Sequence, residues 1–182
     1  MSCPIELTTA RLVLRRWRED DVSALAAILT HPDVSRWLGD SSADDVTMTI
    51  ARYEHSWDTL GYGRFAVEDR ATGAFLGRAG LMRQDAWQAT PEKEEVGWAI
   101  DPARWGEGLA TEAASAALED SFERIGLRRI VSFALPQNVA STRVMEKCGM
   151  TMMGTALWAG RPHVWYAVDT PAGHRPILPQ GS

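Results

Sequence analysis

Residues 94–113 read EEVGWAIDPARWGEGLATEA, and this stretch decides the fold of the chain. A strand-like run with acids at its head leads through a turn containing Gly106 and Gly108 into an amphipathic helix. Because glycine has no side chain, the backbone N–H groups of such a turn can approach a ligand closely, and the start of the helix favours negative charge. The stretch therefore predicts a pyrophosphate-binding turn, with a candidate general base on the preceding strand.

The two glycines alone would also suit an ordinary turn, so their context decides between the readings. Small residues such as Ala110 at the helix start let the helix lie close to the sheet and to a phosphate. A Rossmann motif would need a third glycine where Thr111 stands, and a Walker A loop would need Gly-Lys-Ser/Thr. The turn is thus neither of these nucleotide-binding motifs.

Two adjacent acids open the strand before the turn. Glu95 and Gly97 lie on one face of that strand and Glu94 lies on the other, because side chains alternate. A partly buried carboxylate at Glu95, beside a ligand cleft, is suited to take a proton from an ammonium group. The alternative is a solvated charge at a strand end, and position alone favours neither interpretation.

The bulk composition describes an ordinary globular protein of 182 residues, 45% hydrophobic and 24% charged, which fits one domain. The net charge is −5 and no basic tract stands out, which argues against a nucleic-acid partner. No apolar run is long enough to span a membrane. Cys3 and Cys148 are interpreted as free thiols, which predicts a cytoplasmic protein. No spacing of His, Cys or Asp residues in the sequence indicates a metal site.

The rest of the chain alternates short strands and helices. The expected strands are residues 11–15, 64–68, 75–84, 94–101, 130–135, 151–157 and 163–168, and the expected helices are 21–30, 33–60 with a bend at Gly39-Asp40, 109–125 and 138–149. This order indicates one mixed α/β domain. The tail from residue 170 onward is rich in Pro and Gly and is expected to be flexible.

The helix at 138–149 carries further candidates. Asn138 is expected to cap its N-terminus, and Ser141 would by itself be a polar filler. Cys148 falls on the apolar face and indicates core rather than a nucleophile. His163, in an aromatic strand, is interpreted as structural or substrate-lining.

Taken together, the motifs resemble one superfamily. They are EVGW at 95–98, WGEGLATEA at 105–113 and NVASTRVMEKCGM at 138–150, with LTTARLVLR at 7–15 as an opening strand. Their order and spacing are similar to the GCN5-related N-acetyltransferase (GNAT) superfamily, and more narrowly to its RimJ/RimL-type branch of ribosomal-protein-alanine N-acetyltransferases. The resemblance covers residues 5–169, nearly the whole chain.

The resemblance implies a single GNAT domain at 5–169. Its central mixed, mostly antiparallel sheet would have about seven strands, flanked by about four helices. The fourth and fifth strands of the family's core splay apart to hold the cofactor arm. The implied donor is acetyl-CoA, used as a co-substrate without a metal.

The resemblance also assigns cofactor contacts. Trp98, Ala99 and Ile100 would contact the pantetheine arm through their backbone, Asn138 would contact the same arm, and Ser141 would lie near the thioester sulfur. The remaining cofactor-binding residues, at the pyrophosphate turn, would be Arg104, Gly106, Glu107, Gly108, Leu109, Ala110 and Thr111.

The implied chemistry is direct acetyl transfer to a primary amine. Glu95 would be the general base, acting directly or through a water, and the backbone N–H of Trp98 would stabilise the oxyanion. Either Ser141 or water would protonate the thiolate. Two positions depart from the superfamily pattern: the residue three before the first glycine is Ala103, with Arg104 shifted by one, and the place of a tyrosine acid is taken by Met145.

Several alternatives stay open at this point. The amine acceptor would be a protein N-terminus or a small molecule. The other functional class is a non-catalytic acyl-CoA-binding or sensory protein on the same scaffold. The sequence is compatible with a monomer and with a homodimer.

Overall fold

A computed structural model of the protein describes residues 5–39 and 43–171, with side chains in the second range from residue 45 onward. An eight-stranded sheet forms its centre, in the order β1-β2-β3-β4-β5-β6-β8-β7. All neighbouring strands are antiparallel except β5 and β6, which are parallel. The strands are β1 (Leu7–Thr8), β2 (Leu12–Arg15), β3 (Arg64–Asp69), β4 (Phe75–Arg83), β5 (Glu94–Ile100), β6 (Arg129–Ala134), β7 (Thr151–Trp158) and β8 (Arg161–Asp169).

Five α-helices flank the sheet: α1 (Asp21–Leu29), α2 (Pro32–Leu38), α3 (Ala43–Leu60), α4 (Leu109–Asp120) and α5 (Val139–Lys147). A 3₁₀ turn, Pro102–Arg104, precedes the glycine turn, and a π-helical segment, Ser121–Ile125, extends α4 to Gly126. The expected α/β class with a mixed, mostly antiparallel sheet is confirmed, with one more strand and one more helix than the expected numbers. Asp40 of the expected bend lies outside the described residues. So does the expected flexible tail, except for Thr170 and Pro171.

The helices pack on opposite faces of the sheet. Val96 and Ile100 of β5 share one apolar core with Leu109 and Ala113 of α4. Ala99, whose side chain points to the other face, packs in a separate core formed mainly by α1, α2 and α3. Within the described ranges, no helix has the length and apolar character needed to cross a membrane.

The parallel pair β5–β6 opens directly after its start. Only Glu95 and Val131 are in register between them, so the β6-facing edge of residues 96–100 has no strand partner. The Asp101 N–H donates to the Leu76 carbonyl and so points toward β4. Main-chain N–H and C=O groups point to opposite edges of a strand at successive residues, so those of Trp98, three residues earlier, point toward the gap. The splayed strand pair expected from the sequence is therefore present.

Candidate active site

A cavity of about 440 Å³ lies where the open edge of β5 meets the N-termini of α4 and α5, with α2 forming part of its wall. Most of the predicted cofactor-binding residues line it. Those brought together are Trp98, Ala99, Ile100, Arg104, Gly106, Gly108, Leu109, Ala110, Thr111, Asn138 and Ser141. Glu107 and Glu95, the two remaining predicted site residues, are not among the residues that line this cavity.

The glycine turn presents an open backbone surface. Gly106 and Gly108 have φ angles of +84° and +81°, which side-chain-bearing residues rarely adopt. An ideal Cβ at Gly106 would meet no atom within 4 Å, so nothing in the described chain covers the turn there. The N–H groups of residues 106–108 have no acceptor in the described chain, and the first N–H groups of α4 have no helical acceptor. The turn therefore offers a row of donors suited to an anion.

The side chains beside the turn shape it through ion pairing. Arg104 makes two hydrogen bonds to the Glu107 carboxylate, at 2.7 and 2.9 Å, and reaches Asp69 at 3.2 Å. Hydrogen bonding to Glu107 raises the pKa of Arg104, and the same contact lowers the pKa of Glu107. Arg11 donates to the Glu107 carbonyl at 2.8 Å. The side chain of Glu107 thus acts in holding the turn, and Arg104 brings little free positive charge to the cavity.

Helix α5 supplies a capped N-terminus and a free hydroxyl. The Asn138 Oδ1 atom accepts a hydrogen bond from the Ser141 N–H at 3.2 Å, which confirms the predicted cap. Ser141 is half-buried in the cavity wall, and its hydroxyl makes no hydrogen bond to the described residues. Met145, at the position of the superfamily's tyrosine acid, is 1% exposed in the core. Ser141 is therefore the side-chain hydroxyl of α5 that is available to a ligand in this cavity.

Two cations on α5 were not identified from the sequence as site residues. Arg143 and Lys147 lie four residues apart, on one side of the helix, and both line the cavity. Neither forms an ion pair with a described residue. Their spacing was visible in the sequence, but the side of the helix that meets the ligand becomes clear only when α5 is placed beside the glycine turn.

Glu95 lies outside the cavity, on the sheet face that α1, α2 and α3 cover. It is 6% exposed, so it is not a solvated charge at a strand end. Its Oε2 atom accepts hydrogen bonds from Arg64 at 2.5 Å and from Gln84 at 3.1 Å. These two side chains hold the Glu95 carboxylate in a fixed position. Glu94 lies on the opposite face, as predicted, and accepts a hydrogen bond from the Tyr62 hydroxyl at 3.0 Å.

Glycine at position 97 makes room for the Arg64 side chain. Arg64, Gly80 and Gly97 stand opposite one another on β3, β4 and β5. A Cβ built on Gly97 would collide with the guanidinium of Arg64. Arg64 also donates to the Gly80 carbonyl at 3.1 Å. Gly97 is therefore needed for the Arg64–Glu95 pair, a role that its position in the motif did not reveal.

An aromatic cluster lies on the same sheet face as Glu95. Val131 is in register with Glu95, and Phe133 is two residues further along β6, so both side chains lie on the face that carries Glu95. Phe133 stacks on Trp87 at 4.5 Å between ring centroids and contacts His163 edge-on at 5.9 Å. Trp158 and Trp165 complete the cluster. This placement is compatible with both interpretations of His163, structural and substrate-lining.

Comparison with known proteins identifies the family. Residues 11–151 match the family described as Acetyltransferase (GNAT) domain. YnaD of Bacillus subtilis (strain 168), an uncharacterized N-acetyltransferase, is 43% identical over 150 residues, covering 82% of this chain and 85% of YnaD. The crystal structure of an acetyltransferase from Agrobacterium tumefaciens str. C58 superposes with a TM-score of 0.81 at 27% identity, covering 93% of this chain and 96% of that one.

A RimL structure, a ribosomal L7/L12 α-N-protein acetyltransferase in complex with coenzyme A, has a TM-score of 0.73. It covers 91% of this chain and 98% of its own, but at 18% identity it supports the fold alone. The superfamily resemblance is thus confirmed, and RimL is a structural neighbour. From its matched domain and its relatives, the chain belongs to the GNAT family and is an acetyltransferase.

Proposed function

We propose that this enzyme transfers an acetyl group directly from acetyl-CoA to a primary amine, on a small molecule or at a protein N-terminus. One observation carries the proposal. A single cavity combines an open row of N–H donors, an unpaired edge of β5 and the free hydroxyl of Ser141. These are the groups that an acyl thioester with a pyrophosphate-bearing arm requires.

The cavity suits the donor along its length. The glycine turn and the first turn of α4 would hold the pyrophosphate through backbone N–H groups. Arg143 and Lys147 would supply the positive charge that Arg104, paired with Glu107, does not. The pantetheine arm would pair with the open edge of β5 beside Trp98. The RimL complex with coenzyme A supports this assignment by its fold.

The proposed reaction forms a C–N bond while the C–S bond of the thioester breaks. Glu95 takes the proton of the substrate ammonium, through a water that bridges its buried position to the cavity. The Trp98 N–H, turned toward the gap, stabilises the oxyanion of the tetrahedral intermediate. The leaving thiolate takes a proton from Ser141 or from water, and the second proton lost by the attacking nitrogen replaces it.

The family favours this enzymatic function over a non-catalytic acyl-CoA-binding or sensory protein. Glu95, the proposed base, lies where β5 and β6 begin to separate, and Ser141, one of the two proposed acids, lines the cavity. The cytoplasmic location and the choice between monomer and homodimer stay predictions of the sequence.

The test is an acetyl-transfer assay on a panel of amines. Release of the CoA thiol and the mass of the acetylated acceptor are measured together, so that hydrolysis of the thioester is separated from transfer. The proposal expects thiol release that depends on an amine and matches acetylated product in amount. A protein that binds acetyl-CoA but acetylates no amine across small molecules and peptide N-termini would favour the non-catalytic alternative.

A further inference from the structure

A second arginine lies buried near Glu95 without a counter-ion. Arg78 stands on β4 between Ala66 of β3 and Ala99 of β5, on the sheet face that carries Glu95. It is 9% exposed, and the small neighbours on both sides leave space for its long side chain. No sequence motif includes Arg78.

The guanidinium of Arg78 has no acceptor in the described chain. Its Nε atom is fully buried without a hydrogen-bond partner, whereas its two terminal nitrogens are not fully buried. The Cζ atom of Arg78 lies 5.8 Å from the ring centroid of Tyr53 on α3. Burial lowers the pKa of Arg78. A buried cation without a partner is strongly unfavourable, so proteins retain one rarely unless it serves a ligand.

The surrounding charges leave an excess of positive charge at this place. Arg64 and Glu95 form an ion pair with each other, and Arg78 lies close enough to be affected by both charges. The negative charge that balances Arg78 would therefore come from an anion outside the described chain. The predicted pyrophosphate-binding site is the glycine turn, which lines the cavity beside β5. Arg78 does not line this cavity.

The position also fits the acceptor rather than the donor. Ala99, directly beside Arg78 in the sheet, lines the cavity wall, and Glu95 is on the same face. An acceptor whose amine enters the cavity beside Ala99 would bring its neighbouring groups toward Arg78. The terminal nitrogens of Arg78 are then placed to bind two oxygens of a planar or tetrahedral anion.

We propose that Arg78 binds an oxyanion of the acceptor, so that the preferred substrates are amines that also carry a carboxylate or a phosphate. This inference rests on the proposed acetyl transfer to amines and names the class of acceptor. It makes Arg78 a residue that determines specificity, not one that takes part in proton transfer.

The experiment compares matched acceptors that differ only in charge. Phenylalanine is paired with phenylalaninamide, and phosphoethanolamine with ethanolamine, which separates carboxylate from phosphate. The wild-type enzyme is expected to prefer the anionic member of at least one pair. Arg78→Gln is expected to raise KM for that member roughly tenfold or more and to leave the neutral member unchanged. Arg83→Gln, on the other face of β4, is the control and should alter neither.

Two further readouts keep the outcome decisive. If Arg78 is only structural, Arg78→Gln will change kcat/KM for both members alike, and Arg78→Met will lower the thermal midpoint; either result overturns the inference. The inference expects Arg78→Met to melt at or above the wild-type temperature, because an unpaired buried charge is removed. A wild-type preference for the neutral member of each pair would also overturn it.

Binding distinguishes this inference from the proposed function. If no amine is acetylated, acetyl transfer fails as a function, and the thermal midpoint with CoA plus each anionic amine is measured instead. A rise with the wild type that is absent in Arg78→Gln supports the oxyanion site in a protein that only binds. No rise in either protein contradicts the site.

Discussion

At the scale of single residues, the account depends on Glu95 and on what holds it. The carboxylate is buried and accepts hydrogen bonds from Arg64 and Gln84. A base held in this way has a fixed position, but its Oε2 atom already accepts a hydrogen bond from Arg64. In the proposed mechanism a water connects it to the amine, so that Glu95 would contribute to catalysis and not to donor binding.

Glu95→Gln is expected to lower turnover by roughly 10²-fold or more near neutral pH, because the amide cannot take the proton. Acetyl-CoA affinity should stay nearly intact, since Glu95 does not line the cavity. Steady-state kinetics and calorimetric titration measure the two effects. Because the variant leaves Arg64 buried without a charged partner, its thermal midpoint is checked first.

Glu94→Gln is the matched control for that substitution. Glu94 is adjacent in sequence but lies on the other face, hydrogen-bonded to Tyr62. Its variant should retain turnover. Equal turnover in Glu95→Gln and the wild type would remove Glu95 as the base.

Ser141→Ala is expected to cost less turnover than Glu95→Gln, because water can also protonate the thiolate. Thr142→Val removes the neighbouring hydroxyl, which donates to the Val139 carbonyl at 3.0 Å, and serves as the control. Turnover of the three variants is compared at saturating acetyl-CoA. A larger loss at Ser141 than at Glu95 would identify Ser141 as the main acid.

At the scale of elements, the turn between β5 and α4 lines one cavity with the start of α5, and this cavity is the proposed acetyl-CoA site. Its two positive φ angles and its exposed N–H groups are properties of a segment, since no single side chain supplies them. The cations of α5 complete the site from a helix 30 residues later in the chain.

Gly108→Val is expected to weaken CoA binding by at least tenfold, because a branched side chain strains the backbone at φ +81° and obstructs the phosphate approach. Gly73→Val is the control, since Gly73 has a similar φ of +73° in the β3–β4 turn, remote from the cavity. CoA titration of both folded variants measures the difference. Normal CoA affinity in Gly108→Val would refute the assignment of the turn.

Replacing Arg143 and Lys147 by Gln is expected to weaken CoA binding by roughly 3- to 10-fold per residue, as for exposed charges near a phosphate. The loss should shrink at high salt, because screening already removes part of the attraction. Arg161→Gln changes an exposed cation on β8 outside the cavity wall and should have no effect. Unchanged affinity in the double variant at low salt would exclude α5 as a phosphate contact.

At the scale of the whole molecule, local signals were readable in the sequence and distant pairings were not. The glycine turn and the Asn138 cap depend on neighbouring residues, so their motifs predicted them correctly. Arg64 lies 31 residues before Glu95, and their contact depends on the register of three strands. Strand β1 has two residues, too few to show a period. Arg78 is informative because its guanidinium has no acceptor among the described residues, which only the folded chain reveals.

The central claim is that the folded protein binds acetyl-CoA through the cavity at the glycine turn. Thermal denaturation of the purified protein with acetyl-CoA, CoA and NADH, side by side, tests it most directly, because a ligand that binds only the folded state raises the midpoint. The account predicts a clear rise with both CoA species and none with NADH. No rise with either CoA species would contradict it, and the glycine turn would then be only a turn.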